Sequence, residues 1–425
     1  MGLAVVLAYI ALNLLSPANI FPSLSPYRPL LILAAASLPV AILGRLQSPE
    51  LGKLRTQFIL VSLFFVVACC SWFPHGQLAA NLTTVFDLAP NVIAYFLAIV
   101  VLRSPSRLAF LRGVLVLIAI FVMLHGFLQI SEAVSSGAST PYVLRGNIIL
   151  GDNSTRIRGL GMLGDPNVFG QYLLMILPML FVGKKNTGLG TGYLIAIPIT
   201  VLFLIAVYYT GSRGAEMGVA VLIALYLIWR FKTVGAVFAA VGGALMLVAA
   251  NAARTSRTIT MSGGMDRLGI WSDGMSYFRH SPLFGIGFGE FTDRGHGMTA
   301  HNSYLLCAAE LGMVGYFLWM SIIVVTIIQL SRVPKVTGMS NPALAQWAVA
   351  LKLSLAVYLF TSFFLSRVYD LPLYLLFGMS GAVVAAAGGD EAVPLRGTMW
   401  QVWSLGLCLG ILTLIYVMLR LRVAL

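Results

Sequence analysis

Apolar windows of about 20 residues, the length one helix needs to cross a bilayer, recur from one end of this chain to the other. We place spans near 2–18, 29–44, 57–73, 86–102, 108–130, 166–183, 189–209, 215–229, 233–251, 302–330, 345–365, 369–387 and 399–419. A soluble alternative needs a charged shell, yet only 10% of the 425 residues are charged and 59% are hydrophobic. That balance excludes a soluble globular fold. The expected fold is all-α: a single integral membrane domain over 1–425, a polytopic transmembrane bundle. Several windows are short, so about 12 spanning helices are expected.

Orientation follows from where the basic residues fall. One set of alternate connectors carries Arg45, Lys53 and Arg55; Arg103, Arg107 and Arg112; Lys184 and Lys185; Arg230 and Lys232; Arg332 and Lys335; and Arg396. These are cytoplasmic by the positive-inside rule. The opposite set includes 73–85, which holds no Lys or Arg, and two long connections. The shorter periplasmic loop covers 131–165, and the longer, partly helical one 252–301. The N-terminus is therefore inside. Two features run against this scheme. The long outer loops contain arginines, and a thirteenth span puts Arg420 and Arg422 outside. One span, the first or the twelfth, is expected to be misplaced on that account.

The net charge of +13 is spread over short loops. That pattern suits topology signals and anionic lipid, not nucleic acid. Cys69, Cys70, Cys307 and Cys408 lie in apolar stretches and read as small buried hydrophobes, with no second pair for a zinc site. No basic stretch precedes the first apolar run, so no cleavable signal peptide is expected. We find no internal repeat, which weakens a transporter built from inverted repeats.

Four polar clusters fall on the outer side. In the first, Arg156 and Arg158 precede Gly159, Gly161 and Gly164, then Asp165, Pro166 and Asn167. Asp165 followed by Pro166 reads as a capped helix start. The glycines let backbone approach a bulky ligand, with Arg158 at the head of their turn. The second is Thr210 to Glu216, a tight turn in which Arg213 and Glu216, three apart, either pair on one helix face or leave Arg213 for an anionic headgroup.

The third cluster holds Asp266, Arg267, Trp271 and Asp273, with the cation and the indole one helical turn apart. An amphipathic helix lying on the outer leaflet is its plain reading. It runs on through His280 to Gly285, Gly287, Gly289 and Glu290, whose glycines suit tight loop packing and not a nucleotide fingerprint. In the fourth, His301, Asn302 and Tyr304 open the tenth span, with Glu310 two turns further in. The positive end of a helix dipole keeps such a histidine neutral, which lets it serve as a general base. Its plain reading is a hydrogen-bonded interfacial histidine. Together these clusters put Arg158, Arg213, Arg267 and His301 on one side of the membrane. Several guanidiniums at a bilayer edge suit a diphosphate, gripped through paired hydrogen bonds. No carboxylates or histidines show ligand spacing, so a metal-independent site without a cofactor is expected.

The order of these motifs resembles the O-antigen ligase superfamily of bacterial glycan-transferring membrane enzymes. The resemblance rests on Arg158-Gly159 with Asp165-Pro166-Asn167, then Ser212-Arg213-Gly214, then Arg267 with Trp271. It continues through Ser281 to Gly287 and ends with His301 to Leu305 before Ala309-Glu310-Leu311-Gly312, covering about 156–330. It implies an enzyme of the bacterial inner membrane working on the periplasmic face. The implied donor is a glycan on undecaprenyl diphosphate, moved with inversion to an acceptor hydroxyl on lipid A-core or a growing glycan. Arg213 and Arg267 are then diphosphate ligands, with Arg158 a weaker match, and His301 is the base or an acceptor-orienting residue. Asn302, Glu310 and Trp271 are supporting candidates. The superfamily also contains Wzy-type polymerases and protein O-oligosaccharyltransferases; the last often carry a large soluble portion that is not found here. Ligase is slightly favoured over polymerase by resemblance alone.

Two other classes compete. A lipid-linked glycan flippase needs a charged central cavity, and Lys352 and Glu310 are the main intramembrane charges available. A shape-determining peptidoglycan polymerase needs an outer carboxylate, for which Asp266, Asp273, Glu290 and Asp293 are candidates.

Overall fold

The computed structural model describes residues 2–16, 22–27, 32–37, 39, 53–76, 85–136, 140, 142–145, 155–183, 191–256, 262–295, 297–338, 340–395 and 397–421. For 22, 25, 85, 144, 145, 191, 238–256 and 262–266 only the course of the backbone is described. Most of the expected span 29–44 lies outside these residues, as do Arg45, Lys184, Lys185, Arg396 and Arg422.

The chain is a bundle of helices: α1 (Gly2–Leu15), α2 (Arg55–Cys70), α3 (Val85–Val101), α4 (Pro105–Ser136), α5 (Pro166–Ile176), α6 (Thr191–Thr210), α7 (Arg213–Ser256), α8 (Ser262–His280), α9 (Glu290–Arg294), α10 (Ser303–Thr337), α11 (Pro342–Thr361), α12 (Leu371–Ala386) and α13 (Met399–Leu421). Among the described residues seven helices are long and apolar enough to cross a membrane. Four shorter apolar ones, Gly2–Leu15, Phe86–Val101, Pro166–Phe181 and Leu371–Ala386, complete the bundle. α7 changes direction at Lys232, whose left-handed φ of 51° divides it where the sequence separates its eighth and ninth spans. The loop over 131–165 is not wholly irregular. It holds an antiparallel ribbon of β1 (Val143–Arg145) and β2 (Thr155–Ile157), with Leu144 opposite Arg156.

Burial sorts the helices. α5 and α12 are buried almost all round, so they form the interior and need no lipid-facing side. α6, α7 and α13 expose Leu194, Val201, Trp229, Val402 and Leu414, the mark of a lipid-facing rim. Small residues let backbones approach where an apolar solvent supplies no drive for association. A methyl on Gly378 of α12 would meet Ala98 Cβ of α3 at 2.7 Å, so only a hydrogen fits there. Polar side chains add bonds across helices: Gln57 donates to Thr326 Oγ1 at 2.7 Å, and Gln171 to Thr361 Oγ1 at 2.8 Å.

Two ends can be told apart. At one, the base, Asp390 Oδ2 accepts from Thr56 N at 2.9 Å and Thr56 Oγ1 at 2.8 Å, and its Oδ1 accepts from Gln329 at 2.7 Å. Leu54, the residue before α2, supplies no side-chain cap, so Asp390 does that work from a distance in sequence. Asp390→Ala is expected to lower stability by about 2 kcal/mol, read as a lower melting temperature of the detergent-solubilised protein. The described basic residues assigned to short connectors, such as Arg55, Arg103, Arg112 and Lys335, gather toward this base. At the other end, the mouth, helices α5, α7, α10 and α12 begin and α6 and α11 finish.

α13 finishes at the mouth as well. It packs antiparallel to α10, with Trp403 beside Ile327 and Leu409 beside Met313, so Arg420 sits at the mouth side. The first and the twelfth expected spans are both helical, and both fall among the shorter apolar helices. α12 is interior, and Arg420 stands where the sequence rule disfavours it. One correction concerns the cysteines: Cys307 and Cys408 are buried, but Cys70 is exposed.

Candidate functional site

The mouth is organised around the start of α10. Asn302 is its N-cap, with Oδ1 accepting from Leu305 N at 3.0 Å, and it is fully buried. That bond fixes the amide's orientation and leaves Nδ2 buried without a partner among the described residues. Such an orphan donor asks for an oxygen. His301, one residue earlier, holds a left-handed φ of 47°, a conformation a side-chain-bearing residue rarely adopts. Strain of this kind persists only where neighbours enforce it.

Those neighbours are identifiable. Trp271 Nε1 donates to Ala300 O at 3.0 Å, pinning α8 to the segment that leads into His301. Its indole stands edge-on to Phe363, ring centres 5.7 Å apart. α8 is therefore drawn into the bundle over the start of α10, with Leu305 against Gly274, and Trp271 is buried. From the other side, Ser303 N donates to Ser362 O at 2.9 Å, Ser303 Oγ to Leu365 O at 2.6 Å, and Arg367 N to Ser303 Oγ at 2.7 Å. The loop after α11 is thus clipped to the same turn. Arg367 lies in it and pairs with Asp370.

Charges converge here from separate parts of the chain. Burial pulls the Arg267 guanidinium below its ordinary range; the nearby Arg213 charge adds to this and Asp165 opposes it. Burial also lowers His301, and Arg267 and Arg367 push it the same way while Asp165 pulls it back. The imidazole is thus neutral at neutral pH, but burial and guanidiniums are the causes where the sequence suggested a helix dipole. Stability supplied by that neutral ring is full above the ordinary value of 6.5 and is lost as pH falls through the lowered folded value. Arg367 stays above its ordinary range: burial lowers it, but Asp370 outweighs this.

Asp165 has two roles at once. Its Oδ1 caps α5 by accepting from Asn167 N at 2.7 Å and Val168 N at 3.2 Å, and its charge faces Arg267 and His301. Arg213 opens α7, is exposed, and makes no ion pair with Glu216 or with any other acid among the described residues. The turn before it is held by Arg156, whose Nε donates to Thr210 O at 2.7 Å and whose Nη2 donates to Asn167 Oδ1 at 3.4 Å.

Of the candidates read from sequence, Arg213, Arg267 and His301 come together, with Asn302 and Trp271 beside them. Arg158 does not join them. Its Nη2 donates to Thr140 O at 3.2 Å and its backbone N to Tyr142 O, so it ties the ribbon to the chain after α4. Glu310 is buried inside α10, its Oε1 accepting from Phe291 N at 3.2 Å, which fastens α9 to α10. Arg156 and Arg367 are the functional candidates that the sequence reading missed. Arg367 had a signal: Asp370 before Leu371-Pro372 resembles the Asp165-Pro166 helix start, and an arginine three residues upstream of a cap sits at a helix mouth.

The chain is a polytopic membrane protein whose mouth brings the charges of Arg267 and Arg367 to bear on a neutral imidazole, with that of Arg213 acting on Arg267. Residues 198–320 match the family model described as O-antigen ligase. The matched segment runs from α6 to the first half of α10 and contains Arg213, Arg267 and His301. The match supports a glycan-transferring membrane enzyme of the O-antigen ligase or polymerase type. No curated protein matches the chain.

Proposed function

We propose that the mouth binds the diphosphate of an undecaprenyl-diphosphate-linked glycan and transfers the glycan to an acceptor hydroxyl, that of lipid A-core. The carrying observation is the cluster in which the charges of Arg267 and Arg367 act on His301 and that of Arg213 acts on Arg267, with Asp165 as the facing acid and Asp370 already paired. Like charges gathered this way repel unless an anion joins them, and a guanidinium fork matches phosphate oxygens. The acceptor hydroxyl gives its proton to the neutral His301 ring as its oxygen attacks the anomeric carbon. The bond from that carbon to the diphosphate breaks on the opposite side, which inverts the centre. The electron pair leaves on the diphosphate, where Arg213 and Arg267 hold the added charge. Asn302 Nδ2, buried and without a partner among the described residues, is a further candidate donor to a substrate oxygen. The gathering of basic residues at the base favours a cytoplasmic base and a periplasmic mouth in the bacterial inner membrane.

The test is purified protein given lipid-linked glycan alone, then with lipid A-core. Glycan on the core is the expected result. Longer glycan on the donor lipid means a polymerase, and donor crossing the bilayer without transfer means a flippase. Activity that survives a chelator tests metal independence.

Asp165→Asn gives a finer check. Asparagine keeps the helix cap but removes the charge that holds the His301 value up. Its pKa then falls further, so the acid limb of the transfer rate should move to lower pH than in the wild type. An unmoved limb separates His301 from proton transfer.

A further inference from the structure

Between α8, α10 and α13 lies a groove of about 450 Å³ that the reaction above does not use. Its walls are apolar, with Phe278 from α8, Met313 from α10, and Leu409 and Leu412 from α13. At its mouth-side end two guanidiniums gather about one ring. Arg279 of α8 lies 5.6 Å from the centre of the Tyr416 ring, and Arg420 of α13 lies 5.2 Å from it, with Nε donating to the hydroxyl at 2.9 Å. Both are exposed, and neither has a carboxylate within ion-pair distance among the described residues.

We infer that this groove is a binding site for an anionic glycerophospholipid of the mouth-side leaflet, its phosphate held by Arg279 and Arg420 and one acyl chain lying along α13. The groove opens on the apolar rim of the bundle, since α13 exposes Val402, Leu405, Leu414 and Val417 to its surroundings. An occupant from the bilayer therefore fits it better than one from water. Two forks converging at the polar end of an apolar slot match a phosphodiester in shape and charge. The inference also accounts for arginines at the end opposite to the one where basic residues otherwise gather. Met275 and Phe278 of the groove continue the α8 stripe that carries Arg267 and Trp271, at steps of four, four and three residues. A lipid seated here braces the helix that bears Arg267.

Native mass spectrometry of the detergent-solubilised protein with phosphatidylglycerol or phosphatidylcholine of the same chains tests this without any glycan. The wild type should retain phosphatidylglycerol in preference. The double variant Arg279→Gln, Arg420→Gln should lose that preference by about tenfold, while Arg279→Lys, Arg420→Lys keeps part of it. Both pairs are exposed, so an unchanged melting temperature in lipid-free detergent shows that the fold is intact. A double glutamine variant that keeps the full preference overturns the site. Displacement of the phospholipid by inorganic pyrophosphate also overturns it, because it puts the lipid phosphate at the His301 mouth.

Discussion

Arg213→Ala is expected to slow glycan transfer by about two to three orders of magnitude while leaving the melting temperature unchanged. The two halves of that expectation have separate grounds. Arg213 is exposed at the start of α7 and pairs with no acid among the described residues, so truncating it removes nothing that holds the fold. Its charge instead reaches Arg267, where the proposed reaction has the developing diphosphate charge held. His301→Ala removes the proposed proton acceptor and should cost roughly 10²- to 10⁴-fold. Because the proposed reaction has both act on one bond-breaking step, the double variant should be far less impaired than the product of the two losses. Arg267→Lys adds a further check, keeping the charge that depresses His301 but losing the fork. Its acid limb should stay in place while its rate drops. Assays on protein of verified fold decide the matter: transfer at wild-type rate in both alanine variants removes the site.

Much of the fold was legible because bilayer length and low charge leave one solution, helices side by side. The site was legible in part for a local reason: Arg213, Asp165 and His301 each sit at a helix start, where turn residues announce themselves. Their convergence was not, since Arg213, Arg267 and His301 come from three separate elements. Arg158 was preferred over Arg156 because of its glycine neighbour. The pairing of Leu144 with Arg156 decides which arginine reaches the Thr210 turn, and nothing in the sequence fixes that register. Arg367 was overlooked because hydropathy stops at the span boundary and says nothing about the loop beyond it. The break inside α10 was hidden for the opposite reason, as the apolar pattern continues across it.

That break carries the largest expected effect on stability. Gly312 has φ 62° and ψ −166°, a region open in practice only to glycine, so the helix ladder is interrupted there. In an unbroken helix Met313 N and Val314 N would bond Ala309 O and Glu310 O. All four groups are instead satisfied by the segment after α8: Met313 N donates to Pro282 O at 2.8 Å and Val314 N to Leu283 O at 3.2 Å. In return Ile286 N donates to Ala309 O and Gly287 N to Glu310 O, both at 2.9 Å. The two glycine-bearing motifs are thus halves of one joint, and an unpaired backbone group here would be costly. The fit admits no side chain. A Cβ on Gly312 would lie 2.3 Å from Leu283 C, and one on Gly285, itself at φ 71°, would lie 2.2 Å from Glu310 C. Gly312→Val or Gly285→Val should therefore lose about 3 kcal/mol or more, through strain and two or more broken bonds together. Gly410→Ala in α13, where a methyl meets nothing within 4 Å, should be neutral or slightly stabilising. Thermal melts of the three purified proteins in one detergent compare them directly. Valine at 285 or 312 melting like the wild type would mean that the joint is not what sets the start of α10, and with it His301, in place.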